Sequence, residues 1–153
     1  MYPMMVDISK RKVVVVGGGK IATRKLKELI LCGAKPTIIA PAVSPEIQEW
    51  AASGKAILVG RAYQTGDLSG ANFIFICTDH PATNKAVRSD AGPHQLLNDT
   101  TDHSNSDFIN LATLRQDDYL VAVSTYGNDP RKAKQILHEI AEKIAENTNP
   151  TQA

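Results

Sequence analysis

Val13-Val14-Val15-Val16-Gly17-Gly18-Gly19-Lys20-Ile21-Ala22 decides how this chain of 153 residues folds. Four β-branched residues in a row leave no polar face, so the run reads as a strand buried on both sides, as in a parallel sheet. The glycines follow at once. Ala22, Leu26, Leu29 and Ile30 then recur at helical spacing as far as Gly33, which predicts a helix from about Lys20 to Cys32. A buried strand, a G-x-G-x-x-A turn and a helix in that order form a dinucleotide-binding turn. Gly17 permits the tight bend, Gly19 lets the backbone approach a pyrophosphate, and Ala22 lets the helix lie close to the sheet. Gly18, Lys20 and Ile21 complete the turn. The helix start offers free N–H groups and a favourable dipole to the phosphates. The alternative is a plain strand–turn–helix junction that needs glycine only for its geometry.

The rest of the chain extends the same alternation. Pro36 to Ala40 reads as a second strand. Ser44-Pro45-Glu46 starts a helix that ends near Gly54, with Ser44 as cap and Pro45 in the first turn. Ala56 to Val59 and Asn72 to Cys77 are the third and fourth strands. Thr78-Asp79-His80-Pro81 opens a helix to about Ala91, and Gln95 to Asn98 is a fifth strand. The order β-α-β-α-β-β-α-β predicts an α/β fold of the Rossmann type, doubly wound around a mostly parallel sheet.

The pattern changes after Asn98. Asp99 to Asp107 is polar. Phe108 to Leu114 and Leu120 to Thr125 read as a hairpin, and Asp129-Pro130 caps a long helix with Ala133, Ile136, Leu137, Ile140 and Ile144 on one face. A hairpin and one helix are too little to bury a core of their own. The expected division is a dinucleotide-binding domain over 1–107, a small α+β dimerisation module over 108–147 and a frayed polar tail over 148–153.

Composition narrows the function classes. Hydrophobic residues at 42% and charged residues at 22% are in the globular range. Seventeen basic against sixteen acidic residues give a net charge of +1, so nothing in the whole molecule favours nucleic acid or an anionic membrane. Cys32 and Cys77 lie in apolar stretches without metal-ligand spacing, and the start of the chain lacks a signal-peptide pattern. A cytoplasmic protein with reduced thiols and no resident metal is expected.

Several residues carry possible chemistry. Ligands of open α/β sheets sit beyond the carboxyl ends of the strands, which selects Thr78 and Asp79 as a cofactor-side loop. Helix capping is the simpler reading of Asp79 and His80. About twenty residues past the glycines, where an acidic residue usually holds the adenosine ribose, the chain reads Ile39-Ala40-Pro41. Pro41 and Ser44 are the neighbours available there. No arginine is adjacent for a 2′-phosphate, so NAD is expected over NADP. Asp102 and His103 in the polar loop are candidate acid–base groups, unless that loop is only solvated. Arg131, Lys132 and Lys134 are a cation set or an ordinary solvated helix face.

Taken together, Tyr2-Pro3-Met4, the Val13–Lys25 stretch, Cys32-Gly33-Ala34, Ile39-Ala40-Pro41-x-x-Ser44-Pro45-Glu46, Thr78-Asp79, Asn84, Asn98, Phe108 and Val121-Ala122-Val123-Ser124-Thr125-x-Gly127-x-x-Pro130 resemble the precorrin-2 dehydrogenase family. That family includes the stand-alone enzyme and the dehydrogenase module of siroheme synthases. Ala40-Pro41 is what the family shows in place of the acidic residue. The resemblance implies NAD-dependent oxidation of precorrin-2 to sirohydrochlorin by a homodimer. It implies Asn98, Ser124, Thr125, Arg131 and Lys132 on the side of a substrate rich in carboxylates, and Asp102 as the base; His103 beside it is the alternative that imidazole chemistry offers, and water is a third acceptor. Thr101 stands where the family commonly has an acid, Leu111 where it has proline, and Tyr126 where it has glycine; the first of these speaks against iron insertion. The competing expectations are an NAD-sensing module without chemistry and a shortened homologue lacking a helical region over the tetrapyrrole.

Overall fold

The computed structural model describes residues 1–148. The polar tail expected to fray therefore lies, beyond Thr148, outside the described residues. The chain divides into two compact units, Tyr2–Phe108 and the stretch from Ile109 onward, with Met1 grouped with the latter.

In the first unit the β-branched run forms β1 (Val13–Val16), and every one of its residues is buried. It lies at the centre of a five-stranded sheet because it has no face to show to water. Its neighbours are β2 (Thr37–Ile39) and β4 (Phe73–Ile76), flanked by β3 (Ile57–Val59) and β5 (Leu96–Asp99), giving the order β3-β2-β1-β4-β5. All four pairings are parallel, with Val14 opposite Thr37 and Val15 opposite Phe75. This is the expected doubly wound Rossmann-type sheet.

Helices α1 (Lys20–Leu31), α2 (Pro45–Ala52) and α3 (Pro81–Asp90) connect the strands. Ala22, Leu26 and Leu29 of α1 pack with Val13, Val15 and Phe75 on one face of the sheet, while Val87 of α3 packs with Val14, Val16 and Ile74 on the other. Each such large apolar side chain, fully buried, contributes about 1.5–3 kcal/mol relative to exposure. The caps follow the sequence chemistry. The Ser44 hydroxyl accepts from the Ile47 N–H at 3.4 Å, and His80 Nδ1 accepts from the Thr83 N–H at 3.3 Å.

Phe108 was expected to open the hairpin and instead completes the first unit. Its ring meets Phe73 and Phe75 edge to face, with centroids 5.7 and 5.4 Å away. Just before it, Asp107 pairs with the exposed edge of β5: its N–H donates to the Leu97 carbonyl and its carboxylate accepts from the Leu97 N–H, both at 2.8 Å. The first hairpin strand begins only afterwards, as β6 (Ala112–Arg115).

The second unit pairs β6 antiparallel with β7 (Leu120–Val123), Ala112 opposite Val123, and adds α4 (Pro130–Thr148). Asp129 caps α4, its carboxylate accepting from the N–H groups of Arg131 and Lys132 at 3.0 and 2.9 Å. Among the described residues of this unit, Ala133 is the one hydrophobic side chain that is buried. Ile136, Leu137, Ile140 and Ile144 are only partly covered. Among the described residues no helix is long and apolar enough to cross a membrane.

Candidate functional site

The first unit carries a cleft of about 670 Å³ beyond the carboxyl ends of β1, β2, β4 and β5, floored by the Gly17–Ile21 turn. The three glycines have different reasons to be glycine. Gly17 has φ +119°, and a Cβ there would stand 2.3 Å from the carbonyl oxygen of Cys77. A Cβ on Gly18 would stand 2.3 Å from the carbonyl oxygen of Ala42. These two positions serve the packing of the turn against β4 and against the loop after β2. A Cβ on Gly19 meets nothing within 4 Å. Its space opens outward, so the missing side chain leaves room for a ligand rather than for the protein.

Gly19 is also the N-cap of α1, and it brings no side chain to satisfy the first N–H groups of the helix. Those donors and the helix dipole suit a diphosphate. Lys20 and Ile21 are both exposed on the cleft and supply a cation and an apolar wall, while Ala22 is buried against the sheet, as its small size requires. A bent dinucleotide with its pyrophosphate over Gly19 therefore fits this turn.

The loops after β2, β4 and β5 form the other walls. Pro41 and Ala42 border the cleft where a ribose-binding carboxylate is usual. Thr78 and Asp79 line it after β4, joined by His80 and Thr83 from the start of α3. Thr100 and Thr101 line it after β5. The structure thus brings Gly17, Gly18, Gly19, Lys20, Ile21, Pro41, Thr78 and Asp79 together, as expected.

Three expectations are corrected by position. Ser44 does not face the cleft. Besides capping α2, its hydroxyl bonds the Thr23 hydroxyl at 2.9 Å, and its N–H donates to the Gly18 carbonyl at 3.0 Å, so it binds α1 to α2. Asn98 is 3% exposed and does not reach the cleft: its amide nitrogen donates to the Phe108 carbonyl at 2.8 Å, which ties β5 to the end of the unit. Asp99, expected in the polar loop, belongs to β5 and is fully buried.

Asp99 organises the loop that follows it. It forms an ion pair with Arg88 of α3 and accepts from Thr101 N–H and Oγ1 at 2.9 and 2.7 Å. The Asp102 N–H adds a longer bond at 3.3 Å. Burial works against the charge of this carboxylate. The Thr101 bonds and the guanidinium outweigh it, so the group titrates below the usual carboxylate range. Asn84, also buried, donates to the Thr78 carbonyl at 3.0 Å and reaches Thr101 Oγ1 at 3.5 Å, linking the loops after β4 and β5. Its side-chain oxygen has no hydrogen-bond partner among the described residues.

Asp102 and His103 lie just past Thr101, both exposed. Asp102 caps a single 3-10 turn, His103–Asn105. It accepts from the Ser104 hydroxyl at 2.6 Å and N–H at 3.0 Å, and these bonds hold its carboxyl below the usual range. Burial lowers the Lys25 ammonium, which lies over the Phe75 ring, to about 8, and raises the thiol of Cys77, a residue lining the cleft, to about 11. In the second unit the Thr125 hydroxyl donates to the Asp129 carbonyl at 2.7 Å, and Ser124 Oγ accepts from the Tyr126 N–H at 3.0 Å. Both hydroxyls are thus engaged in the turn before α4. Tyr126 itself sits at φ +56°, a left-handed backbone that explains glycine as the common occupant. Arg131 and Lys132 are exposed in the first turn of α4.

Comparison with known proteins agrees with this geometry. A family model described as "Putative NAD(P)-binding" matches residues 4–112. The precorrin-2 dehydrogenase of Bacillus subtilis strain 168 is 33% identical over 94% of this chain and 89% of its own length. That of Priestia megaterium is 35% identical over 95% of this chain and 72% of its own. The solved structure of SirC, a precorrin-2 dehydrogenase, has a TM-score of 0.85 at 35% identity, covering 94% of this chain and 71% of that one. The chain belongs to the precorrin-2 dehydrogenase family, and the NAD(P)-binding match falls almost wholly on its first unit.

Proposed function

We propose that this chain oxidises precorrin-2 to sirohydrochlorin with NAD as the hydride acceptor. The observation that carries the reading is the open space over Gly19 at the bare start of α1, in a chain whose relatives over nearly its full length are precorrin-2 dehydrogenases. The α1 N–H groups bind the diphosphate, Lys20 adds a charge beside it, and Thr78 and Asp79 border the nicotinamide side. NAD, when bound, takes a hydride from the substrate, and a proton leaves with it. NAD is favoured over NADP because the loop after β2 offers Pro41 and Ala42 and no cation for a 2′-phosphate. The nearby Arg61 guanidinium is already held by the Asp67 carboxylate at 2.8 and 2.6 Å. A reducing cytoplasm suits Cys32 and Cys77, which form no disulfide. The test is anaerobic turnover: NADH and sirohydrochlorin appear together only when protein, NAD and precorrin-2 are all present. NAD binding without turnover would point instead to a sensing module.

The proton has two possible acceptors on the loop after β5. Asp102 is committed to Ser104 and Asn105, and its lowered titration makes it a weak base. The imidazole of His103 is exposed, and imidazole is the side chain best suited to proton exchange near neutral pH. His103→Ala is expected to lower kcat at least about tenfold with NAD affinity unchanged, since a positioned base is worth about 10²–10⁴-fold. Asp102→Asn is expected to stay within about threefold of the parent, on the same scale. The reverse pattern assigns the base to Asp102, and two unaffected variants leave the proton to water.

The working form is a homodimer through the second unit. A hairpin and a 19-residue helix with, among the described residues, one buried hydrophobic side chain leave most of their apolar side chains half covered, and a second copy is the natural cover. Sedimentation at micromolar concentration is expected to give twice the 16.5 kDa chain mass. A single species of one chain mass contradicts this.

A further inference from the structure

We propose that the Thr101 hydroxyl accepts a hydrogen bond from the carboxamide N–H of the bound nicotinamide, and that Asp99 beneath it confines the hydroxyl to accepting. The inference rests on the dinucleotide reading above and concerns how the reactive ring is recognised.

A threonine hydroxyl has one proton and two lone pairs, and ordinarily its proton rotates to suit either kind of partner. Thr101 has lost that freedom. Its proton goes to Asp99 Oδ1 at 2.7 Å, and the Thr101 N–H meets the same oxygen at 2.9 Å. Asp99 is fully buried against the Arg88 guanidinium, so the carboxylate stays ionised and can only accept. Its position prevents Thr101 from turning the hydroxyl proton toward the cleft without leaving a buried charge short of a donor. One lone pair accepts the long bond from the Asn84 amide, and what Thr101 presents to the cleft is therefore the other. Thr100 is committed in the same way: its hydroxyl donates to the Ile76 carbonyl at 2.8 Å. Two adjacent cleft residues thus offer acceptors alone.

A dinucleotide has few groups that answer such a site. With the diphosphate at the start of α1, the adenosine half points past β2 toward Pro41. The nicotinamide half points toward the ends of β4 and β5, where Thr101 lies. The diphosphate oxygens accept and cannot satisfy it. The carboxamide amino group, with two N–H donors, can. Asn84, which reaches Thr101 Oγ1 at 3.5 Å, helps to hold it in place.

The test compares affinities rather than turnover. Calorimetry measures binding of NAD, of its thionicotinamide analogue, which keeps the N–H donors, and of its 3-acetylpyridine analogue, in which a methyl group replaces the amino group. The parent protein is expected to bind NAD and the thio analogue alike and the acetylpyridine analogue about threefold to tenfold more weakly, the usual net worth of one such bond. Thr101→Val keeps the shape, removes the acceptor and is expected to bind all three equally. Thr101→Ser is expected to restore the preference. Thr101→Val and Thr101→Ala, the second hydroxyl-free variant, also take one donor from the buried Asp99 carboxylate, so both are expected to melt below the parent while Thr101→Ser melts close to it, and affinities are compared well below those midpoints. A preference that survives Thr101→Val and Thr101→Ala, or that is absent from the parent, overturns the proposal. Failure of the parent to bind any of the three would instead overturn the dinucleotide reading itself.

Discussion

Gly19→Val is expected to abolish dinucleotide binding while leaving the domain folded. The backbone at Gly19 has φ −86° and ψ −167°, which any residue adopts, and its Cβ direction is open. Valine therefore costs the fold only what a poorer N-cap costs, about 1 kcal/mol, which a folded domain tolerates. Its methyl groups would occupy the space over the first N–H groups of α1, where the diphosphate is proposed to lie. Loss of that approach should raise the dissociation constant at least about a hundredfold, roughly 2.8 kcal/mol. The neighbouring glycines provide the contrast. At Gly17 or Gly18 even alanine would bring its Cβ to 2.3 Å from a backbone oxygen, so those variants should lose stability as well as binding. Calorimetric titration with NAD beside a thermal melt separates the two cases. A folded Gly19→Val protein with undiminished affinity would move the cofactor elsewhere.

The second large effect belongs to Asp99. Asp99→Asn keeps the volume and removes the charge that Arg88, Thr101 and Asp102 all address. Removing one partner of a buried ion pair typically costs about 3–5 kcal/mol. The Arg88 side chain is 31% exposed and can recover some hydration, so the lower end, about 3 kcal/mol, is expected. For a chain of this size that lowers Tm by about 10 °C. The pH dependence has a definite sign. Because the folded carboxyl titrates below its unfolded value, its contribution is present above the ordinary carboxylate range. It is lost as the pH falls through the lowered folded value. Acid should therefore narrow the gap between parent and variant. A variant that melts within about 2 °C of the parent at neutral pH, at most about 1 kcal/mol on the same scale, would show that the pair does not hold the loop.

The parts of this fold that could be read from the sequence are those fixed by local chemistry. Four consecutive valines leave no alternative to a doubly buried strand, glycines between strand and helix mark a tight turn that at Gly17 needs a special backbone, and Ser44-Pro45 and His80-Pro81 mark helix starts whatever surrounds them. The floor of the cleft follows from the same local rules, which is why Gly17 to Ala22, Pro41, Thr78 and Asp79 were legible.

What escaped the sequence depends on partners far along the chain. Asp99 sits in a polar string and looks like loop. It is buried in β5 because Arg88, on the preceding helix, comes to meet it. Phe108 stands next to a hairpin pattern, yet Phe73 and Phe75 across the sheet claim its ring. Ser44 reads equally well as a cap or as a ribose ligand, and only the position of Thr23 on α1 decides for the cap. Thr100 and Thr101 show no motif at all. Their meaning depends on where their protons point, which is set by Ile76 and Asp99.

Turnover in one anaerobic cuvette, with NADH and sirohydrochlorin followed together by absorbance, tests the central claim most directly. The expected result is one NADH formed for each sirohydrochlorin, at a rate that needs NAD and disappears in Gly19→Val. A parent protein that binds NAD and precorrin-2 yet forms neither product would contradict it.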